Sequence, residues 1–205
     1  MQGYKTIYEA AEDEFTEKKS RFIGYIAPAA SEEDALSVIS ARKTLHRDAT
    51  HNVYAYTLRG GIARCTDDGE PQGTAGVPAL EALQKAGVTD VCVVVTRYFG
   101  GTLLGTGGLI RAYSQAAAQA LKAAKQRLML PCTMLELSVN YSLYGKAARL
   151  LPQYEALVLQ SDFGEEVSLR VMLKSENVPV FTDALREATA ANAKLSFCEE
   201  TLSDM

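Results

Sequence analysis

The segment 91–99, VCVVVTRYF, constrains the fold of this chain more than any other stretch. Its first five residues are all apolar, four of them are β-branched, and no polar residue alternates with them. A short, continuous run of this kind reads as a strand buried on both faces, so the sheet that holds it needs cover on two sides. It runs into five glycines and then into the strongest helical pattern in the sequence, 108–127. There Leu109, Ala112, Tyr113, Ala116, Ala120 and Leu121 fall at helical spacing. Ahead of it, 20–29 reads as a strand, and Ser31 with Asp34 opens a helix to about Leu45. Residues 52–58 form a second strand and 77–87 a short helix.

The last seventy residues carry a different pattern. Residues 134–141 alternate, with Leu135, Leu137, Val139 and Tyr141 on one side. Ser142 is placed to cap a helix that buries Leu143, Ala147, Leu150 and Leu151. Strand 156–160 turns through SDFGEE into strand 167–173, with Val167, Leu169, Val171 and Leu173 inward. Asn177 opens a helix with Pro179 in its first turn. Leu195 and Phe197 alternate around Ser196 in a closing strand. The order βαββαβ is the ferredoxin-like arrangement. The chain is thus expected to be α+β, with domains 1–130 and 131–205 and the boundary within 128–133.

With 205 residues, 47% hydrophobic and 22% charged, the chain has a globular composition. The N-terminus MQGYKTIYEAAEDEF has charges where a signal peptide needs an apolar segment, and no window is long and apolar enough to span a membrane. Cys65, Cys92, Cys132 and Cys198 are far apart and read as free thiols of a reducing compartment, so a cytoplasmic location is expected. Up to Leu130 there are 15 Lys and Arg against 14 Asp and Glu; from Pro131 onward there are 6 against 11. No global basic field advertises nucleic acid, so any polyanion contact must come from a local patch.

Two loops could supply one. TDDGEPQGTAGVP (66–78) holds Asp67, Asp68, Glu70, Gly73, Thr74 and Gly76. The second loop, within RYFGGTLLGTGGLIRAY (97–113), holds Arg97, Tyr98, Gly100, Gly101, Gly105, Gly107, Gly108 and Arg111. Each feeds a helix N-terminus, where exposed amides make an anion-binding concavity. The competing reading is that the glycines permit tight turns and nothing more. Ile110 breaks a GxGxxG pattern and Thr106 stands where a Walker lysine belongs, so neither standard nucleotide loop is present. The three carboxylates could hold a cation or work as acid and base; alternatively they cap turns and pair with Arg64 or Arg97. His46 and His51 could join Cys65 or Asp67 in a metal site, or be hydrogen-bonded structural residues. Basic residues cluster at Lys18, Lys19 and Arg21, at Arg42, Lys43 and Arg47, and at Lys122, Lys125 and Arg127 on a helix end. Tyr98, Phe99 and Tyr113 beside Arg97 and Arg111 give the cation-plus-aromatic mixture that suits RNA.

The strings HRDATHN (46–52), DDGEPQGTAGVP (67–78), VVVTRYFGG (93–101) and LGTGGLIRAY (104–113) resemble the IMPACT/YigZ family. The resemblance implies a first domain with the left-handed βαβ fold of elongation factor G domain IV. It implies a ferredoxin-like second domain similar to domain V of that factor. In translation factors such a pair touches ribosomal RNA, so the expected partners are RNA, the ribosome or a translation-associated protein. Eukaryotic IMPACT regulates translation partly through an N-terminal RWD domain, and this sequence shows no such extension. The resemblance implies no catalytic residues, metal or cofactor. A non-enzymatic RNA- or ribosome-binding protein is therefore the leading expectation. The rival is an enzyme, a metal-dependent hydrolase or phosphoryl transferase, using His46, His51, Asp67, Asp68, Glu70 and the glycine loops.

Overall fold

The computed structural model describes residues 2–205, and the chain divides into two compact units, one of Tyr4–Arg127 and one of Leu128–Met205 together with residues 2–3. The division lies just ahead of the interval that sequence pattern marks.

In the first unit, β1 (Tyr4–Ile7), β2 (Ala11–Glu17) and β3 (Ser20–Pro28) precede α1 (Glu32–Leu45). Strands β4 (His51–Leu58) and β5 (Ile62–Thr66), helix α2 (Gly76–Ala86), strand β6 (Val91–Tyr98) and helix α3 (Thr106–Ala123) follow. The sheet runs β2-β3-β6-β4-β5, and every neighbouring pair is antiparallel. Strands β3 and β4 flank β6 and are parallel to each other, so the α1 connection crosses over the central strand. The α2 connection from β5 to β6 likewise crosses over β4, on the opposite face of the sheet.

The β6 strand is buried on both faces, as its composition requires. Val91, Val93 and Val95 pack with Leu83 of α2 and Tyr113, Ala116 and Ala120 of α3. Cys92 and Val94 pack on the other face with Ala35 and Ile39 of α1. Ser31 and Asp34 close the expected capping box of α1. Strands β1, β2 and β5 were not legible in the sequence: β2 is charged and mostly exposed, and β5 carries an arginine and exposed Ile62. Helix α3 stops at Ala123, so Lys125 and Arg127 lie beyond its end rather than on it.

The second unit contains most of β7 (Gln126–Val139), followed by α4 (Tyr141–Leu150), β8 (Leu157–Phe163), β9 (Val167–Lys174), α5 (Val178–Ala188) and β10 (Lys194–Ser203). Its strands lie in the order β10-β7-β9-β8, all antiparallel, which is the ferredoxin-like arrangement. Leu135, Leu137, Val139, Leu169, Val171, Phe181 and Leu185 form the core. Four local expectations need correction. Tyr141 is exposed in α4 instead of continuing the strand. Asn140, not Ser142, accepts the capping bond from the Leu143 amide. Asn177 makes no capping bond and donates its amide to the Tyr154 carbonyl. Phe197 is exposed, next to a register shift in β10.

Among the described residues no helix is long and apolar enough to cross a membrane.

Candidate functional site

Period-2 alternation along β6 sends Arg97 to the α2/α3 face and Tyr98 to the α1 face. Each then organises its own polar cluster.

Arg97 stands opposite His51 on β4 and Phe22 on β3. It is almost fully buried, with its guanidinium carbon 5.5 Å from the centre of the Phe22 ring and 5.4 Å from that of Phe99. Its Nη1 donates to Glu70 Oε1 at 2.6 Å and its Nη2 to Ser20 Oγ at 3.2 Å. The same Glu70 oxygen accepts from the Tyr113 hydroxyl at 2.8 Å, and His51 Nε2 lies 3.8 Å away. Burial first, and then Glu70, pushes the Tyr113 hydroxyl far above its ordinary value. His51 Nδ1 donates to the Asp68 carbonyl at 2.8 Å, so the neutral ring keeps its lone pair on Nε2, toward Glu70. The Arg97 Nε has no hydrogen-bond partner among the described residues.

The first loop wraps around Asp67. That carboxylate accepts amides from Gly73, Ala75 and Gly76 at 2.8, 3.0 and 2.8 Å, at the start of α2. Burial alone raises its pKa, but the three amides outweigh it and leave the group below the usual carboxylate range. The α2 N-terminus, expected to offer amides to a ligand, is therefore filled by the chain itself. Asp68 is also committed: Oδ1 pairs with Lys43 Nζ at 2.9 Å and Oδ2 accepts the Asn52 amide at 2.7 Å. Thr74 is buried and bonds back to the Pro71 carbonyl. Of the arginines weighed as partners for these carboxylates, Arg97 pairs with Glu70, whereas Arg64 bonds the Ala63 carbonyl.

The second loop is left open. Gly100 packs so tightly on the Lys18–Lys19 turn that an added Cβ would lie 2.0 Å from the Lys19 backbone. Gly105 stands at the N-cap of α3 with φ +75°, and among the described residues no side chain hydrogen-bonds the amides of the first turn, Thr106, Gly107 and Gly108. Gly101 is exposed in the connecting turn. The two loops meet at a cleft of about 440 Å³, whose lining includes His51, Glu70, Arg97, Phe99, Gly105 and Thr106. Leu103, Leu104 and Leu109 line its apolar wall. Arg111 and Gly108 instead line a neighbouring hollow with Lys18.

His46 belongs elsewhere. It lies at the end of α1, where Arg42 Nη2 donates to its Nε2 at 2.8 Å and its Nδ1 meets the Tyr98 hydroxyl at 2.9 Å. Tyr98 bonds on to Asp48. Arg42 also pairs with Glu12 of β2. Burial and then the Arg42 charge lower the His46 pKa. The two histidines thus serve different clusters. No three His, Cys, Asp or Glu among the described residues gather as a metal-binding group, so the metal site weighed from the sequence does not form. Burial raises the Cys65 thiol pKa, helped by Asp67, which leaves it a poor nucleophile.

The Impact N-terminal domain matches residues 18–121, and a domain of unknown function (DUF1949) matches residues 137–192. The chain belongs to the IMPACT family. It is 35% identical to the IMPACT family member YvyE of Bacillus subtilis, over 98% of this chain and 94% of that protein. It is 35% identical to the family member YigZ of Escherichia coli, over 89% and 92%. Similarity to mouse Protein IMPACT is confined to 44% of this chain and 30% of that one, at 34% identity. A solved structure described as a hypothetical protein superposes with a TM-score of 0.62, at 32% identity over 97% of this chain and 98% of its own. The first IMPACT-family domain spans every residue of both polar clusters except Glu12, which lies on β2 just ahead of the match.

Proposed function

We propose that this IMPACT-family chain is a non-enzymatic cytoplasmic protein that binds RNA or the ribosome through its first domain. The observation that carries the reading is the unequal treatment of two helix N-termini. Asp67 fills the one on α2, whereas among the described residues no side chain hydrogen-bonds the first-turn amides of the eighteen-residue α3. Around that open end stand a half-exposed Phe99 on one side and Lys18 and Arg111 on the other. Backbone amides, a helix dipole and cations suit a phosphate backbone, and an exposed ring suits an unstacked base. The nearly balanced charge of the first domain leaves this local patch as its means of attracting a polyanion.

The test is co-sedimentation with ribosomes and filter binding of structured RNA, starting at low salt. Affinity should fall steeply as salt rises. The double substitution Lys18→Ala/Arg111→Ala should flatten that slope by roughly one unit for each phosphate no longer neutralised. Absence of both associations at low salt overturns the reading.

One observation favours the enzymatic alternative. The Asp68 carbonyl orients His51 so that its Nε2 faces the cleft, 3.8 Å from Glu70, where its lone pair is available to a substrate proton. Nucleotide hydrolysis by the wild type that disappears in His51→Gln would favour this alternative; no turnover would remove it.

A further inference from the structure

We propose that His46 is an acid-sensitive latch: a second proton on its ring breaks the contacts that pin the turn 47–50 and so loosens Phe99 at the cleft. The inference needs no ligand and stands apart from the RNA reading.

The latch is a chain of hydrogen bonds with one allowed direction. Arginine has no acceptor, so Arg42 Nη2 donates to His46 Nε2, and the neutral ring carries its proton on Nδ1. That proton goes to the Tyr98 hydroxyl at 2.9 Å, and the hydroxyl donates to Asp48 Oδ1 at 3.3 Å. The chain ties the end of α1 to β6 and to the turn. Protonation of Nε2 converts the acceptor for Arg42 into a donor and sets two cations 2.8 Å apart.

The surroundings decide which partner yields. Arg42 is buried, with its guanidinium carbon 4.3 Å from the centre of the Tyr25 ring on β3, and it pairs with Glu12 on β2. Arg21 on β3 repels a charged His46 ring as Arg42 does, while Glu12 and Asp48 favour it. Burial and Arg42 prevail and hold the ring below its ordinary value. His46 is only half-buried at the end of α1, so the charged ring turns out to water and leaves both Arg42 and Tyr98.

The turn carries this change to the cleft. The His46 carbonyl accepts the Ala49 amide at 3.1 Å and Asn52 Nδ2 at 3.2 Å. At the far end of the turn, Thr50 donates its amide to the Arg97 carbonyl at 2.9 Å and accepts the Phe99 amide on Oγ1 at 3.0 Å. Thr50 and Phe99 both line the cleft. Only four residues separate the titrating ring from the hydroxyl that holds Phe99.

The test is amide hydrogen exchange of the full chain by NMR, corrected for intrinsic pH dependence, as pH is lowered from about 7.5 until the His46 ring has titrated. Protection of the Phe99 amide should fall by about tenfold or more, with the midpoint of the His46 ring signal. The chain has two histidines, so loss of a ring signal in His46→Gln or His51→Gln assigns both. The His46→Gln carboxamide can accept from Arg42 and donate to Tyr98 but never charges, so its Phe99 protection should stay level. His51→Gln should keep the acid loss. Level protection in the wild type, a loss that survives in His46→Gln, or a midpoint that follows His51 overturns the latch. If His46→Gln does not fold, the midpoints in the wild type and in His51→Gln decide the question.

Discussion

Replacing Glu70 by alanine should destabilise the first unit severely. The carboxylate and Arg97 are each about 95% buried, their contact is 2.6 Å, and the Tyr113 hydroxyl, fully buried, shares the same oxygen. Removing one partner of such a pair leaves an uncompensated buried cation, which costs roughly 3–5 kcal/mol. Tyr113 also loses its acceptor, at about 1–3 kcal/mol, although the two losses overlap. A net loss of about 4 kcal/mol is a large share of the 5–15 kcal/mol typical of whole proteins. For a unit of this size it should lower the melting temperature by about 15 °C. Glu70→Gln keeps an acceptor for Tyr113 and Arg97 and removes only the charge, so its loss should be about half as large. Thermal and urea unfolding followed by circular dichroism at neutral pH should rank wild type above Glu70→Gln above Glu70→Ala. The double variant Glu70→Leu/Arg97→Met should recover part of the loss, because an apolar pair carries no orphaned charge. A Glu70→Ala protein within about 1 kcal/mol of wild type would refute the buried-pair reasoning.

Two further outcomes follow from the same geometry. Asp67→Asn turns an amide donor toward the Gly73 amide and should cost about 1–3 kcal/mol. The folded-state pKa of Asp67 is depressed, so its contribution is complete above the ordinary value of 3.8 and is lost as pH falls through the folded value; urea midpoints for Asp67→Asn should therefore drop less in acid than those of the wild type. The pKa of His46 is also depressed, by burial and then by Arg42, so the unfolded chain takes up the proton more readily. Stability should hold above the ordinary value of 6.5 and decline as pH falls below it towards the lower folded value, and His46→Gln should flatten that decline; an unchanged slope would show that His46 is not its source.

Local pattern and composition encode a definite part of this fold. The apolar run of β6 demanded two covering layers, and α1 on one face with α2 and α3 on the other supply them. Alternation and turn residues yielded the ferredoxin-like order of the second unit. Strands such as β2 and β8 escaped or were shortened because an exposed edge strand lacks a buried face and so shows little hydrophobic period. The glycine loops stood out, but not which of them was already occupied. That depends on where the Asp67 carboxylate reaches, six to nine residues along the chain. Tertiary structure alone decided the membership of the two polar clusters. Arg97 and Tyr98 are adjacent in sequence, yet the pleat points them to opposite faces. One therefore meets Glu70, Tyr113 and His51, while the other meets His46 and Asp48. A one-residue step along a strand reverses a side chain's direction, and only the layers packed on each face determine what it finds there.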